Sequence, residues 1–200
     1  MDKIKKLLVF GGAFNPPHKG HELLLSAAAE TIRPDLTIIL PTATSPHKQD
    51  GEVRFSHRVN MARVFKKITD VKICDFEGKG RKKRNYTIQS LKRLEKKYAG
   101  YEIYLLIGGD MLESFYSWSR CRRIIAKTIL VTALRTDEDE ELLKAADRVR
   151  KDGGKVLILQ YQPFIISSSE LRKKLSDKED VSGYMDETVV AYINKFGLYK

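Results

Sequence analysis

Gly11-Gly12-Ala13-Phe14-Asn15-Pro16-Pro17-His18-Lys19-Gly20-His21 decides how this chain folds. The short apolar run Leu7-Leu8-Val9-Phe10 precedes it and reads as a buried strand, and a helical pattern from Glu22 to Thr31 follows it. The stretch is therefore a strand, a glycine turn and a helix start, an arrangement whose free amides and helix dipole attract phosphate. Gly11 and Gly12 put no side chain between those amides and a ligand. Pro16 and Pro17 fix φ and stiffen the approach to the helix. His18 and His21, three apart, face the same way on a first helical turn, with Gly20 between them leaving room for a bulky anion. Each feature alone has a plainer reading: a structural Gly-Gly turn, a solvated histidine. Together they form a site for a polyphosphate that gains charge during a reaction.

Two hundred residues suffice for one domain with a substantial core, and we read residues 1–200 as a single unit. The formal net charge of +11 points to anionic ligands, nucleotides or nucleic acid. Cys74 and Cys121 are too few for a disulfide framework, and no Cys/His spacing suits a metal site, so no protein metal ligand is expected. The N-terminal apolar run is too short for a signal peptide, and no segment reaches membrane-span length. The expected setting is soluble and cytoplasmic.

Strands are expected at Lys6–Phe10, Leu36–Leu40, Val71–Cys74, Tyr101–Ile107, Thr128–Thr132 and Val156–Leu159. The intervening segments carry helical periodicity: Lys19–Ile32, a face of Val59, Ala62, Phe65 and Ile68, another of Ile88, Leu91, Leu94 and Tyr98, and the charged Glu138–Lys151. Continuous apolar strands alternating with helices predict an α/β, Rossmann-like, doubly wound parallel sheet. Ligands then bind at the carboxyl ends of the strands, where the motifs fall.

The opening motif resembles the signature of the H-x-G-H nucleotidyltransferase superfamily, and is most similar to nicotinate-nucleotide adenylyltransferases. Four further stretches carry the resemblance along nearly the whole chain. Ser45-Pro46-His47-Lys48 is similar to a loop whose lysine approaches substrate phosphates. Tyr86-Thr87 is similar to a helix start at the nicotinate end of the acceptor. Gly108-Gly109-Asp110 with Trp118 resembles a ribose-binding turn followed by a tryptophan that stacks on the pyridine ring. Ile166-Ser167-Ser168-Ser169-Glu170-Leu171-Arg172 resembles a pyrophosphate-binding helix start. Without the first motif, these would read as a proline turn, a packed tyrosine, a cap and an ordinary capped helix.

The resemblance implies transfer of AMP from ATP to nicotinate mononucleotide. It implies His18, His21 and Arg172 as catalytic. It implies ATP contacts at Gly11, Gly12, Ala13, Phe14, Gly20, Gly108, Asp110, Ser167 and Ser168. It implies acceptor contacts at Asn15, Lys48, Tyr86, Thr87 and Trp118, with Mg²⁺ accompanying ATP. Ala13 and Asn15 depart from the commonest residues of the pattern, Thr or Ser and Asp, which bears on the acceptor more than on the reaction. Alternatives within the superfamily act on nicotinamide mononucleotide or phosphopantetheine, or transfer cytidylyl groups. From another class, the basic run Arg81–Arg84 raises a nucleic-acid-binding module, although no aromatic residues interleave it. Its plainer reading is a solvated loop, or one that steers anionic nucleotides. The number of copies in solution is left open, a homo-oligomer included.

Overall fold

The computed structural model describes residues 4–42, 53–76, 86–134 and 139–200. Its strands are β1 (Lys5–Gly12), β2 (Leu36–Pro41), β3 (Val71–Ile73), β4 (Tyr101–Leu106), β5 (Thr128–Ala133) and β6 (Lys155–Leu159). All pair in parallel, in the order β3-β2-β1-β4-β5-β6. The helices are α1 (Lys19–Ile32), α2 (Phe55–Met61), α3 (Thr87–Lys97), α4 (Gly109–Glu113), α5 (Cys121–Ile125), α6 (Glu140–Lys151), α7 (Ser168–Ser176) and α8 (Glu187–Phe196). The expected Rossmann-like sheet is what forms.

Alternation along β1 explains the two layers. Leu8 and Phe10 join a core that includes Leu25 and Ala28 of α1, Leu171 of α7 and Ile193 of α8. Leu7 and Val9 join a second core with Leu91 of α3, Leu112 of α4, Ile124 of α5 and Val149 of α6. Successive strand side chains point to opposite faces, so a strand covered on both sides must be apolar throughout. β1 is central, and the chain turns to one side for β2 and to the other for β4. The crevice beyond their carboxyl ends is the topological switch point of the sheet.

Several boundaries differ from the sequence expectation. β1 runs on through both glycines, with Gly11 opposite Leu40 and Gly12 opposite Pro41, so the turn begins at Ala13. The second helix narrows into a 3₁₀ segment at Ala62–Lys67. Trp118, read from the sequence as helical or loop, terminates a short 3₁₀ turn, Phe115–Ser117. The expected helix at Glu138–Lys151 starts at Glu140, because the Asp139 carboxylate caps it by accepting from the Leu142 amide.

Candidate active site

The turn after β1 is built tightly. Phe14 adopts a left-handed backbone, φ 47°, and the Asn15–Pro16 peptide is cis. The Phe14 ring packs edge-on against Phe10 and Phe65, at centroid distances of 5.2 and 5.0 Å, and this burial holds the unfavourable φ in place. Gly12 lies over that ring: a Cβ there would meet it at 2.9 Å. Gly11 has open space where its side chain would be, so it alone of the pair leaves the backbone unobstructed. The room at Gly20 has a different use from the one expected. The Phe164 carbonyl and the His18 ring fill it, at 3.0 and 3.1 Å from a Cβ.

His18 is the N-cap of α1 and His21 the third residue of its first turn. Their rings lie 3.7 Å apart, and the His18 backbone amide donates to His21 Nδ1 at 3.3 Å. With Nδ1 accepting, the neutral His21 ring carries its proton on Nε2. His18 is buried, which pushes its pKa down to about 4, against a smaller opposing effect of the Glu170 carboxylate. His21, beside the Phe10 and Phe14 rings, is pushed well below the usual range by burial and then by His18. Both imidazoles are neutral at pH 7, so they offer N–H donors rather than cationic charge.

The helix start at Ser167 closes over this loop. Ser167 and Glu170 form a reciprocal cap: the Ser167 hydroxyl accepts from the Glu170 amide at 3.1 Å, and the Glu170 carboxylate accepts from the Ser167 amide at 2.8 Å. The Ser167 hydroxyl also donates to that carboxylate at 2.6 Å, and this bond, with the one from the Ser167 amide, holds the Glu170 carboxyl below the usual range. Ser168 donates its hydroxyl to the Pro16 carbonyl at 2.9 Å. Arg172 donates through one arm to the Asn15 carbonyl at 2.9 Å and through the other to the Ser169 hydroxyl at 3.0 Å. Two motifs about 150 residues apart are thus laced into one surface.

Two buried polar atoms in the same loop have no hydrogen-bond partner among the described residues: Asn15 Nδ2 and His18 Nδ1. An unmet buried donor costs about 1–3 kcal/mol, and such atoms are few in native structures. Tyr199 donates its hydroxyl to Asn15 Oδ1 at 2.6 Å, so the amide's other end is the unmatched one. A ligand rich in oxygen acceptors would satisfy Asn15 Nδ2.

The cytidylyltransferase-like family model matches residues 9–174. A protein of Lachnoclostridium phytofermentans named probable nicotinate-nucleotide adenylyltransferase is 32% identical over 98% of this chain and 100% of its own length. The chain belongs to the nicotinate-nucleotide adenylyltransferases of the cytidylyltransferase-like family. A relative of the same name from Clostridium novyi is 29% identical over 98% of this chain and all of its own. Among solved structures, the nicotinic acid mononucleotide adenylyltransferase of Plasmodium falciparum complexed with NaAD superposes with a TM-score of 0.79. That match is at 22% identity and covers 98% of this chain and 97% of that one. A Vibrio parahaemolyticus structure gives 0.69 at 20% identity, over 98% and 95% of the two chains. These likenesses carry the adenylyltransferase fold.

Within this adenylyltransferase, Arg172 holds the Asn15 carbonyl and Ser168 the Pro16 carbonyl, in the loop that leads into the His18–His21 pair. Gly108 and Asp110 leave β4, the strand beside β1, at the same end of the sheet. Asp110 turns back so closely that a Cβ on Gly108 would meet its Oδ1 at 2.7 Å. Tyr86 is the N-cap of α3 and Thr87 its first residue. Tyr86 and Trp118 pack against the second core, across the sheet from α1, with Trp118 5.4 Å from the Phe115 ring. Lys48 and the Arg81–Arg84 run lie outside the described residues.

Arg58 is the residue that sequence reasoning missed. Only 3% exposed, it donates to the Ala13 and Thr42 carbonyls, both at 2.7 Å, and to the Val53 carbonyl at 3.3 Å. It thereby pins the exits of β1 and β2 together. The one clue in the sequence is an arginine in a helix whose neighbour three residues on, Met61, faces the core.

Proposed function

We propose that the crevice at the switch point transfers AMP from ATP to nicotinate mononucleotide, forming deamido-NAD and pyrophosphate. The observation that carries this reading is the lacing of the His18/His21 loop to the Ser168/Arg172 helix start. It assembles neutral imidazole donors, helix-terminal amides and a guanidinium around one place. The acceptor phosphate is already anionic at neutral pH, so it attacks the α-phosphorus without a general base. Catalysis is then positioning and charge stabilisation.

His18 and His21 donate to phosphate oxygens as negative charge builds at the pentavalent centre. Arg172, with two arms already holding Asn15 and Ser169, meets the leaving pyrophosphate with its remaining donors. The Ser167 and Ser168 hydroxyls are engaged within the protein, and their helix's first amides serve the same leaving group. Asn15, Tyr86, Thr87 and Trp118 serve the acceptor, and Gly108 and Asp110 the adenosine. Mg²⁺ would travel on the ATP phosphates, since hard cations take phosphate and water oxygens. Among the described residues no group of three or more His, Cys, Asp or Glu is placed to hold a metal ion, and no step is routed through one. The test is pyrophosphate release from ATP against a panel of mononucleotides. Turnover with nicotinate mononucleotide above every other acceptor is expected; turnover with none of them would overturn the reading.

A further inference from the structure

We infer that Tyr199, the penultimate residue, is a positioning residue for the acceptor, acting through Asn15. The inference rests on the reading above. The C-terminal segment is built to deliver this hydroxyl. Gly197 ends α8 in a left-handed conformation, φ 59°, and the Leu198 amide closes back on the Ile193 carbonyl at 3.1 Å. Tyr199 is itself left-handed, φ 64°, which a bulky residue adopts only when its surroundings hold it there. Leu198 and Tyr199 pack against the first core, and the Tyr199 hydroxyl reaches Asn15 Oδ1, 184 residues away in sequence, at 2.6 Å.

The bond has a directional consequence. A primary amide has an acceptor end and a donor end, and a neighbouring hydroxyl can hold either. Here Tyr199 occupies Oδ1, and Asn15 is 1% exposed, so water does not reach its Nδ2 freely. The Asn15 carbonyl is held separately by Arg172. The backbone carbonyl and the side-chain oxygen of Asn15 are therefore both held, and its side-chain donor, three residues before His18, has no partner among the described residues. That donor suits a phosphate oxygen of the attacking mononucleotide. Without the Tyr199 hydroxyl, the amide is free to rotate and present its oxygen to that anion instead.

The experiment compares Tyr199→Phe, Asn15→Ala and the double variant in the full chain, with ATP and nicotinate mononucleotide varied separately. Tyr199→Phe keeps the ring and removes only the hydroxyl. Its kcat/KM for the mononucleotide is expected to fall about tenfold, while KM for ATP stays within about twofold. In the Asn15→Ala background the same change is expected to cost less than about twofold, since there is no amide left to orient. A merely structural hydroxyl would lower the melting temperature and cost the same factor in both backgrounds, and that result would overturn the inference. So would a loss confined to ATP, or no loss. Wild-type chain inactive on every mononucleotide would instead sink the functional reading underneath, a separate outcome visible before any variant is made.

Discussion

At the scale of single residues, the two histidines are buried and neutral, and the proposed reaction uses them as donors. Replacing either by alanine is expected to cut turnover by about a hundredfold, the usual cost of one preorganised donor. Circular dichroism should still report a folded chain. Burial also makes His18 a reporter of stability. Unfolded, it binds its proton near the ordinary 6.5; folded, near about 4. Between those values the unfolded chain holds more protons, so stability is full above about pH 6.5 and falls as pH drops toward 4. The loss on reaching pH 4 is on the order of 3 kcal/mol for this one group. Denaturant midpoints measured across that window should slope less for His18→Gln, which cannot titrate; an unchanged slope would contradict the burial argument. The sequence showed that these histidines share a side of the helix. It did not show that they are uncharged, because that depends on burial the fold creates, for His21 beneath the Phe10 and Phe14 rings.

At the scale of elements, the candidate site is a junction between the turn after β1 and the start of α7, joined by cross-links. Arg172→Lys keeps the charge but not the planar fork that reaches Asn15 and Ser169 together. Steady-state kinetics are expected to show a raised KM for ATP and a lower kcat, with the acceptor's KM little changed. An effect on the acceptor alone would move Arg172 to the other half of the site. Arg58→Met should act on stability first. It strands up to three half-buried carbonyls, at Ala13, Thr42 and Val53, for an expected loss of about 1–3 kcal/mol in urea unfolding. Both motifs of the junction were legible, because helix starts and phosphate turns use local chemistry. The arginine that ties β1 to β2 was not, because its partners are backbone carbonyls, which leave no trace in sequence. Gly20 was read as space for a ligand; only the structure shows the Phe164 carbonyl occupying that space.

At the scale of the molecule, the order β3-β2-β1-β4-β5-β6 is known only from the structure. A parallel sheet covered by helices follows from continuous apolar runs, and with it a ligand crevice at the carboxyl ends of the strands. That much was readable, since a parallel sheet covered on both faces leaves a characteristic pattern. Choice of acceptor is a property of the whole assembly, where a +11 chain meets a ligand bearing either a carboxylate or a neutral amide. α3 opens with Tyr86 making no side-chain cap and with no acidic residue in its first turn. Its N-terminal amides and dipole therefore favour an anion. Trp118 would stack on a pyridine ring in either acceptor, so Trp118→Ala should weaken both to a similar degree. Thr87→Pro isolates the discriminating part. Thr87 is the first residue of the helix, the position that proline suits best, and Tyr86 before it is extended, φ −103° and ψ 139°, as a residue preceding proline must be. The variant should fold while losing both the amide and the hydroxyl. With kcat/KM measured for both mononucleotides, wild type is expected to prefer nicotinate, and Thr87→Pro to erode that preference by about 1–3 kcal/mol. A wild type preferring the amide would refute the nicotinate assignment. A folded Thr87→Pro with an unchanged ratio would move discrimination away from α3, with the Ser45–Lys48 stretch of the sequence the next candidate.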